Sequence, residues 1–257
     1  MWQPTEHAAY DTAGPTHAPA IIFLHVVAGT RKWWLPQMRA FSDAYCVVAL
    51  DLPGDGVLDG MVFSFDRAIP VIAATLDAVG KRNAVFVGDS MGAYAAVAFA
   101  AAHPARVTGL MLSGCSINFT GALGIAAQTA AWLLERTYPV SALLLRRRGN
   151  RNIRASTTAM SSRIIKGRTY FWGWPACLRS LSGTDFYAKV RSYPGPVLLA
   201  TGAHDFNRPF RFGLAAAAQR SQTCIIKGAA HTPNLDQPER YNAILRDFAH
   251  TIDWNNR

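Results

Sequence analysis

The sequence has no run of about twenty uninterrupted apolar residues, so it offers no transmembrane helix. The opening MWQPTEHAAYDTAGPTHAPA lacks a basic start followed by an apolar core, and no signal peptide is expected. Cysteine is sparse: Cys46, Cys115, Cys177 and Cys224 are scattered without a CxxC pair. Three of them sit in or beside apolar runs, where small buried thiols are the expectation, and a reducing cytoplasm is the expected compartment. Acidic residues are also few, 16 against 26 basic ones, for a net charge of +10. Residues 119–185 carry most of that excess, with ten basic side chains opposed only by Glu135 and Asp185. No zinc-finger spacing, RNP-type aromatic strand or helix-turn-helix pattern accompanies them, which argues against nucleic acid as partner. A basic face in solvent is the ordinary reading; anionic substrates or lipid are the functional one. The stretch 140–145 followed by Arg146, Arg147 and Arg148 has the form of an interfacial membrane segment, and a cap helix with a basic end explains it as well. Repeats and low-complexity segments are absent.

What is present is a rhythm. Half of the 257 residues are hydrophobic, enough for one sizeable domain with room for an insertion. Continuous apolar runs occur at 20–24, 45–50, 83–87, 107–112, 197–200 and 223–226. Unbroken rather than alternating runs mark strands covered on both faces. Helical stretches lie between them, including 69–79, 91–102 and 239–251. This alternation predicts an α/β fold with a mostly parallel central sheet flanked by helices. The rhythm stops after the fourth run and resumes at Pro196. Residues 1–118 and 186–257 are therefore expected to form the core, and 119–185 a helical cap inserted above the carboxyl ends of the strands, where sites of such sheets lie.

One pentapeptide stands at such a strand end: Gly88-Asp89-Ser90-Met91-Gly92. Glycine and serine are ordinary turn residues, but an apolar run before and an alanine-rich helix after give this G-x-S-x-G the setting of a nucleophile elbow. A serine hydroxyl needs a base, and the base needs an orienting acid. Of seven histidines, His7 and His17 lie in the polar N-terminal stretch, His103 and His250 at helix ends, His25 at a strand end and His204 beside an acid. His231 remains, in the loop after the last run. The acid is expected at another strand end between serine and histidine, and Asp205 is there. Asp89 is expected to diverge from the serine at the turn.

The order Ser90, Asp205, His231 resembles that of the α/β-hydrolase superfamily, specifically its small, cap-bearing esterase-like group. The resemblance runs over nearly the whole chain, through Phe23-Leu24-His25, the turn 51–56, the elbow, the Gly202 to Asp205 turn and the His231 loop. It implies a serine hydrolase acting on a small-molecule carboxylic ester without cofactor or metal, with backbone N–H donors from Val27 and Met91 to the oxyanion. Lactone, thioester, amide or carbon–carbon bond hydrolysis would use the same residues. A receptor-like member with little turnover is the alternative from another class. Three positions depart from the family pattern: Val26 where glycine is usual, and Asp55 and Leu58 where histidine and serine are usual. A β-branched residue does not readily take positive φ, so Val26 puts the oxyanion loop in question. The first strands of the family sheet are expected to be reduced or absent. Trp33, Trp34, Trp172 and Trp174 are candidates for lining an apolar acyl or aryl pocket, with core packing as the alternative.

Overall fold

The unbroken apolar runs become strands, and in all but the last the successive side chains serve two different cores; the last is largely exposed and buries only Ile226. A computed structural model of the chain describes residues 9–137 and 173–254. Strands β1 (Tyr10–Ala13), β2 (Ala20–Leu24), β3 (Cys46–Leu50), β4 (Ala84–Asp89), β5 (Val107–Ser113), β6 (Pro196–Gly202) and β7 (Arg220–Ile226) form one sheet in the order β1-β3-β2-β4-β5-β6-β7. β1 runs antiparallel to β3 and all other pairs are parallel. On one face, Ile22, Leu24, Val48, Leu50 and Phe86 join a large cluster; on the other, Ile21, Phe23, Val47, Ala49, Val85 and Val87 join a second. This period of two, apolar on both sides, is the reason the sequence shows no alternation.

Helices cover both faces. α2 (Phe65–Ala78) and α3 (Met91–Ala102) pack on the first, and α1 (Leu35–Phe41) and α9 (Pro238–His250) on the second. α3 is buried all round from Met91 to Ala100, so it needs small side chains rather than an amphipathic stripe, and its alanines supply them. Between β5 and β6 lie α4 (Gly121–Arg136), α5 (Gly173–Leu181) and α6 (Phe186–Arg191). The remaining short helices are α7 (Arg211–Ala217) and α8 (Pro233–Asp236). No described helix is long and apolar enough to cross a membrane.

Of the ten basic residues in 119–185, Arg136 lies over the Trp132 ring and Arg179 pairs with Glu135 at the surface; the other eight, with the stretch 140–148, lie outside the described residues. Cys46, Cys115 and Cys177 are buried, Cys224 is half-buried, and all four are free thiols.

β1 is the strand that the apolar pattern does not announce. Its sequence, YDTA, buries Asp11 and Ala13. Asp11 is there for charge: it accepts from Arg31 Nε at 3.0 Å and from Lys32 Nζ at 2.5 Å. Arg31 Nη1 also reaches Asp51 Oδ2 at 2.6 Å, while the Arg31 backbone N–H donates to Asp51 Oδ1 at 2.7 Å. Asp11 and Asp51 are almost fully buried, and the Arg31 side chain is 9% exposed. This cluster fastens β1 and the end of β3 to the segment that follows β2. Removing one partner of a buried pair strands the other charges, at about 3–5 kcal/mol. Arg31→Met should therefore lower unfolding stability by that order in a urea titration. A change below about 1 kcal/mol, the range of exposed pairs, would mean that water already screens the cluster.

Candidate active site

Ser90 sits where β4 turns into α3, at φ 53° and ψ −116°. A non-glycine residue in this region carries strain of about 1–3 kcal/mol and persists only where its surroundings impose it. Here the glycines impose it. A Cβ at Gly92 would lie 2.1 Å from the Leu24 carbonyl oxygen, and one at Gly88 would lie 2.5 Å from Ala93 Cα. Helix and strand can meet this closely only without those side chains. The Ser90 N–H donates to Ser113 O at 2.8 Å, tying the elbow to the neighbouring strand.

Asp205 follows β6 and His231 follows β7, and the backbone brings their loops together. His204 N–H donates to Ala229 O at 3.0 Å, and Gly202 packs so near the Ala230 carbonyl that a Cβ would be 1.9 Å from its oxygen. The result is a continuous chain of contacts: His231 Nδ1 lies 3.0 Å from Asp205 Oδ1, and His231 Nε2 lies 3.1 Å from Ser90 Oγ. With Nδ1–H donating to the carboxylate, the Nε2 lone pair faces the serine hydroxyl. Asp205 is buried and its Oδ1 also accepts the Asn207 N–H at 2.9 Å; the Asn207 amide in turn donates to Gly114 O at 2.6 Å. Burial alone pulls the His231 pKa down, but the hydrogen bond to Asp205 and the charges of Asp89, Asp205 and Asp236 leave it raised overall. Phe206, largely exposed, stacks on the imidazole with ring centroids 4.6 Å apart.

The loop after β2 resolves the question that Val26 raised. The positive φ falls on Ala28, at 60°, and not on Val26. The loop turns two residues later than a glycine after the strand-end histidine would suggest, closed by Gly29 N–H donating to Val26 O at 3.0 Å. His25 holds its start. Its Nδ1–H donates to Val26 O at 2.7 Å while its Nε2 accepts the Leu52 N–H at 3.0 Å. Burial drives the His25 pKa down, with the Asp51 charge and the Val26 carbonyl opposing, which suits this neutral, bridging imidazole. Arg31 holds the far end. Val27 and Met91, 8% and 1% exposed, flank this meeting of loop and helix. Asp55, the departure from histidine, is buried beneath the same loop with neither oxygen hydrogen-bonded in ordinary geometry. Desolvation pushes its pKa up to about 8; the nearby Ala28 N–H lowers it and Asp51 raises it.

The four tryptophans divide. Trp34 is fully buried, stacked on Phe23 at 5.1 Å and tilted against Tyr241 at 6.2 Å, so it is a core residue on the α1/α9 face and lines no pocket. Trp33 packs on the edge of the same core, with its indole N–H near the Asp89 carboxyl. Trp174, half-buried on α5, rests against the core on the α2/α3 face. Trp172 lies outside the described residues. Two residues at the site had no assigned part in the sequence, Gly114 and Asn207. A glycine directly after the β5 run was the available signal for the first; nothing marked the second.

A strained serine at a strand–helix turn meets a histidine and a buried carboxylate from two other strand ends, so the chain is an α/β protein with a serine–histidine–aspartate contact chain at the carboxyl ends of its strands. The model of the alpha/beta hydrolase family matches residues 21–244, and the chain belongs to that family. Among curated proteins it is similar to the "Putative carbamate hydrolase RutD" of Escherichia coli strain UMN026, with 26% identity over 251 residues, covering 89% of this chain and 86% of that one. Among solved structures, the enol-lactonase of Burkholderia xenovorans LB400 superposes with a TM-score of 0.77 at 21% identity, covering 94% of this chain and 95% of that one. The esterase RhEst1 of Rhodococcus sp. ECU1013 gives 0.78 at 22%, covering 95% and 94%.

Proposed function

We propose that the chain is a serine hydrolase that cleaves a carboxylic ester of a small molecule through an acyl-enzyme. The observation that carries this reading is the pair of contacts from Ser90 Oγ to His231 Nε2 and from His231 Nδ1 to Asp205 Oδ1, at 3.1 and 3.0 Å. Ser90 Oγ attacks the carbonyl carbon as its proton passes to His231 Nε2, and the carbonyl π pair moves onto oxygen. Backbone N–H groups of Val27 and Met91 hold that oxyanion. Collapse expels the alcohol, protonated by His231, and leaves the acyl group on Ser90. Water then attacks by the same route and regenerates the serine. Asp205 keeps the imidazole in the accepting tautomer and steadies the imidazolium.

Residues 119–185 act as a cap in this reading. A Cβ at Gly173, where α5 begins, would lie 3.7 Å from Val27 Cγ2, so the segment returns over the oxyanion loop. Carbamates are a second substrate class, favoured by the name of the RutD relatives; attack at a carbamate carbonyl needs the same groups. The compartment proposed is the cytoplasm.

With p-nitrophenyl esters of graded acyl length beside lactones, amides and carbamates, Ser90→Ala should leave no hydrolysis above background. Asp205→Asn should lose about four orders of magnitude in kcat, because asparagine favours the wrong imidazole tautomer. Turnover surviving in Ser90→Ala sinks the serine mechanism, and near-normal turnover in Asp205→Asn sinks the acid. For the oxyanion, Val27→Pro removes one N–H and should lower kcat by about 10²–10³ with KM less affected. Val27→Ala keeps the donor and should stay near wild type. A folded Val27→Pro protein with most of its kcat would place the donor elsewhere.

A further inference from the structure

The mechanism leaves one carboxyl beside the histidine unused. Asp89 ends β4 directly before Ser90 and is fully buried, and neither of its oxygens makes a hydrogen bond of ordinary geometry, the Trp33 indole N–H being the donor nearby. A buried carboxyl with so little hydrogen bonding is destabilising, so its presence here asks for a compensating role. Its position supplies one. Asp89 lies opposite Ser113 in the β4–β5 register, next to Gly114, which turns at φ 64°. A Cβ at Gly114 would stand 3.2 Å from Asp89 Oδ1, 2.8 Å from His231 Cε1 and 3.2 Å from His231 Nδ1. The space a side chain at 114 would fill is thus the space across which the carboxyl and the imidazole edge face each other. The groups facing Asp89 are His231, Asp205 and Asp236 from the loops and short helix after β6 and β7, Cys115 after β5, Tyr241 on α9 and the Trp33 indole N–H. His231 is the one member of that set able to carry a positive charge.

We propose that Asp89 is a second acid of His231, a positioning residue that strengthens the imidazole as a base across the gap at Gly114 while Asp205 fixes its tautomer. An ionised carboxylate at this edge favours the imidazolium that forms when Ser90 gives up its proton. Burial raises the Asp89 carboxyl to about 8, with the His231 charge and the Trp33 indole N–H drawing it down and Asp205 pushing it up, so its charge appears as pH rises through about 8. Protons on two such neighbours come off in steps that belong to the pair. The catalytic consequence rests on the serine-hydrolase reading; the electrostatic coupling does not.

NMR titration of the His231 imidazole in the full chain, assigned by its loss in His231→Gln, measures the coupling without turnover. Wild type should show a second inflection near pH 8 as Asp89 ionises. In Asp89→Asn, which has the shape of the protonated acid, the inflection should vanish and His231 should titrate at lower pH, since a nearby negative charge no longer holds its proton. Asp89→Ser should agree, and serves should the asparagine variant fold poorly. On an ester substrate, kcat should fall by about tenfold with KM within about twofold, a modest share of general-base catalysis. His231 titrating alike in wild type and both variants overturns the proposal, as does coupling with kcat unchanged. Activity surviving in Ser90→Ala would instead overturn the hydrolase reading and leave the titration result intact.

Discussion

There is no room for a methyl group at position 92, and the geometry of the site follows from that. The first turn of α3 rests on the carbonyls of Leu24 and His25, close enough that a Cβ at Gly92 would lie 2.1 Å from one and 2.6 Å from the other. The contact forces Ser90 into its left-handed conformation, which the hydrogen bond to Ser113 and ten buried residues of α3 sustain. It also sets the separation between the serine and the loop carrying Val27, because that loop leaves β2 at the residues α3 touches. The loop is then fixed at both ends, by the His25 imidazole bridging to Leu52 and by Arg31 between Asp11 and Asp51. Rigid backbone on three sides is what lets a single hydroxyl be placed against an imidazole to a few tenths of an ångström.

The charges around this framework are unequal by environment. Asp205 accepts from the Asn207 N–H and faces the imidazole, whereas burial outweighs the Ala28 N–H at Asp55 and the Trp33 indole N–H at Asp89 and raises both carboxyls to about 8. Burial is the leading cause at both raised carboxyls. The tautomer of His231 follows from the same asymmetry, since the acceptor at Nδ1 leaves Nε2 to face the serine.

Much of the fold was legible because a strand buried on both faces writes itself as an unbroken apolar run, and five runs did so; the sixth lies in β7, an edge strand that buries only Ile226. β1 was not, because it is an edge strand of four residues whose buried Asp11 serves an ion cluster formed with residues twenty and forty positions away. The three residues now in contact at the site could be named from strand-end placement and chain order. Asp89 could not, since its approach to His231 depends on the empty side of Gly114, a distance that no spacing encodes. Trp34 had the composition of a pocket residue and became core, because the turn at 31–34 directs it beneath Phe23. Val26 is no obstacle, because the positive φ of this loop falls on Ala28.

The central claim is that Ser90 forms the covalent bond. Fluorophosphonate treatment followed by intact-mass and peptide mapping tests it most directly, since the reagent traps a serine only where a base activates it. The account predicts a single adduct on Ser90, formed at a rate that collapses in His231→Gln. An adduct on another residue, or ester hydrolysis persisting with Ser90 unlabelled, would contradict it.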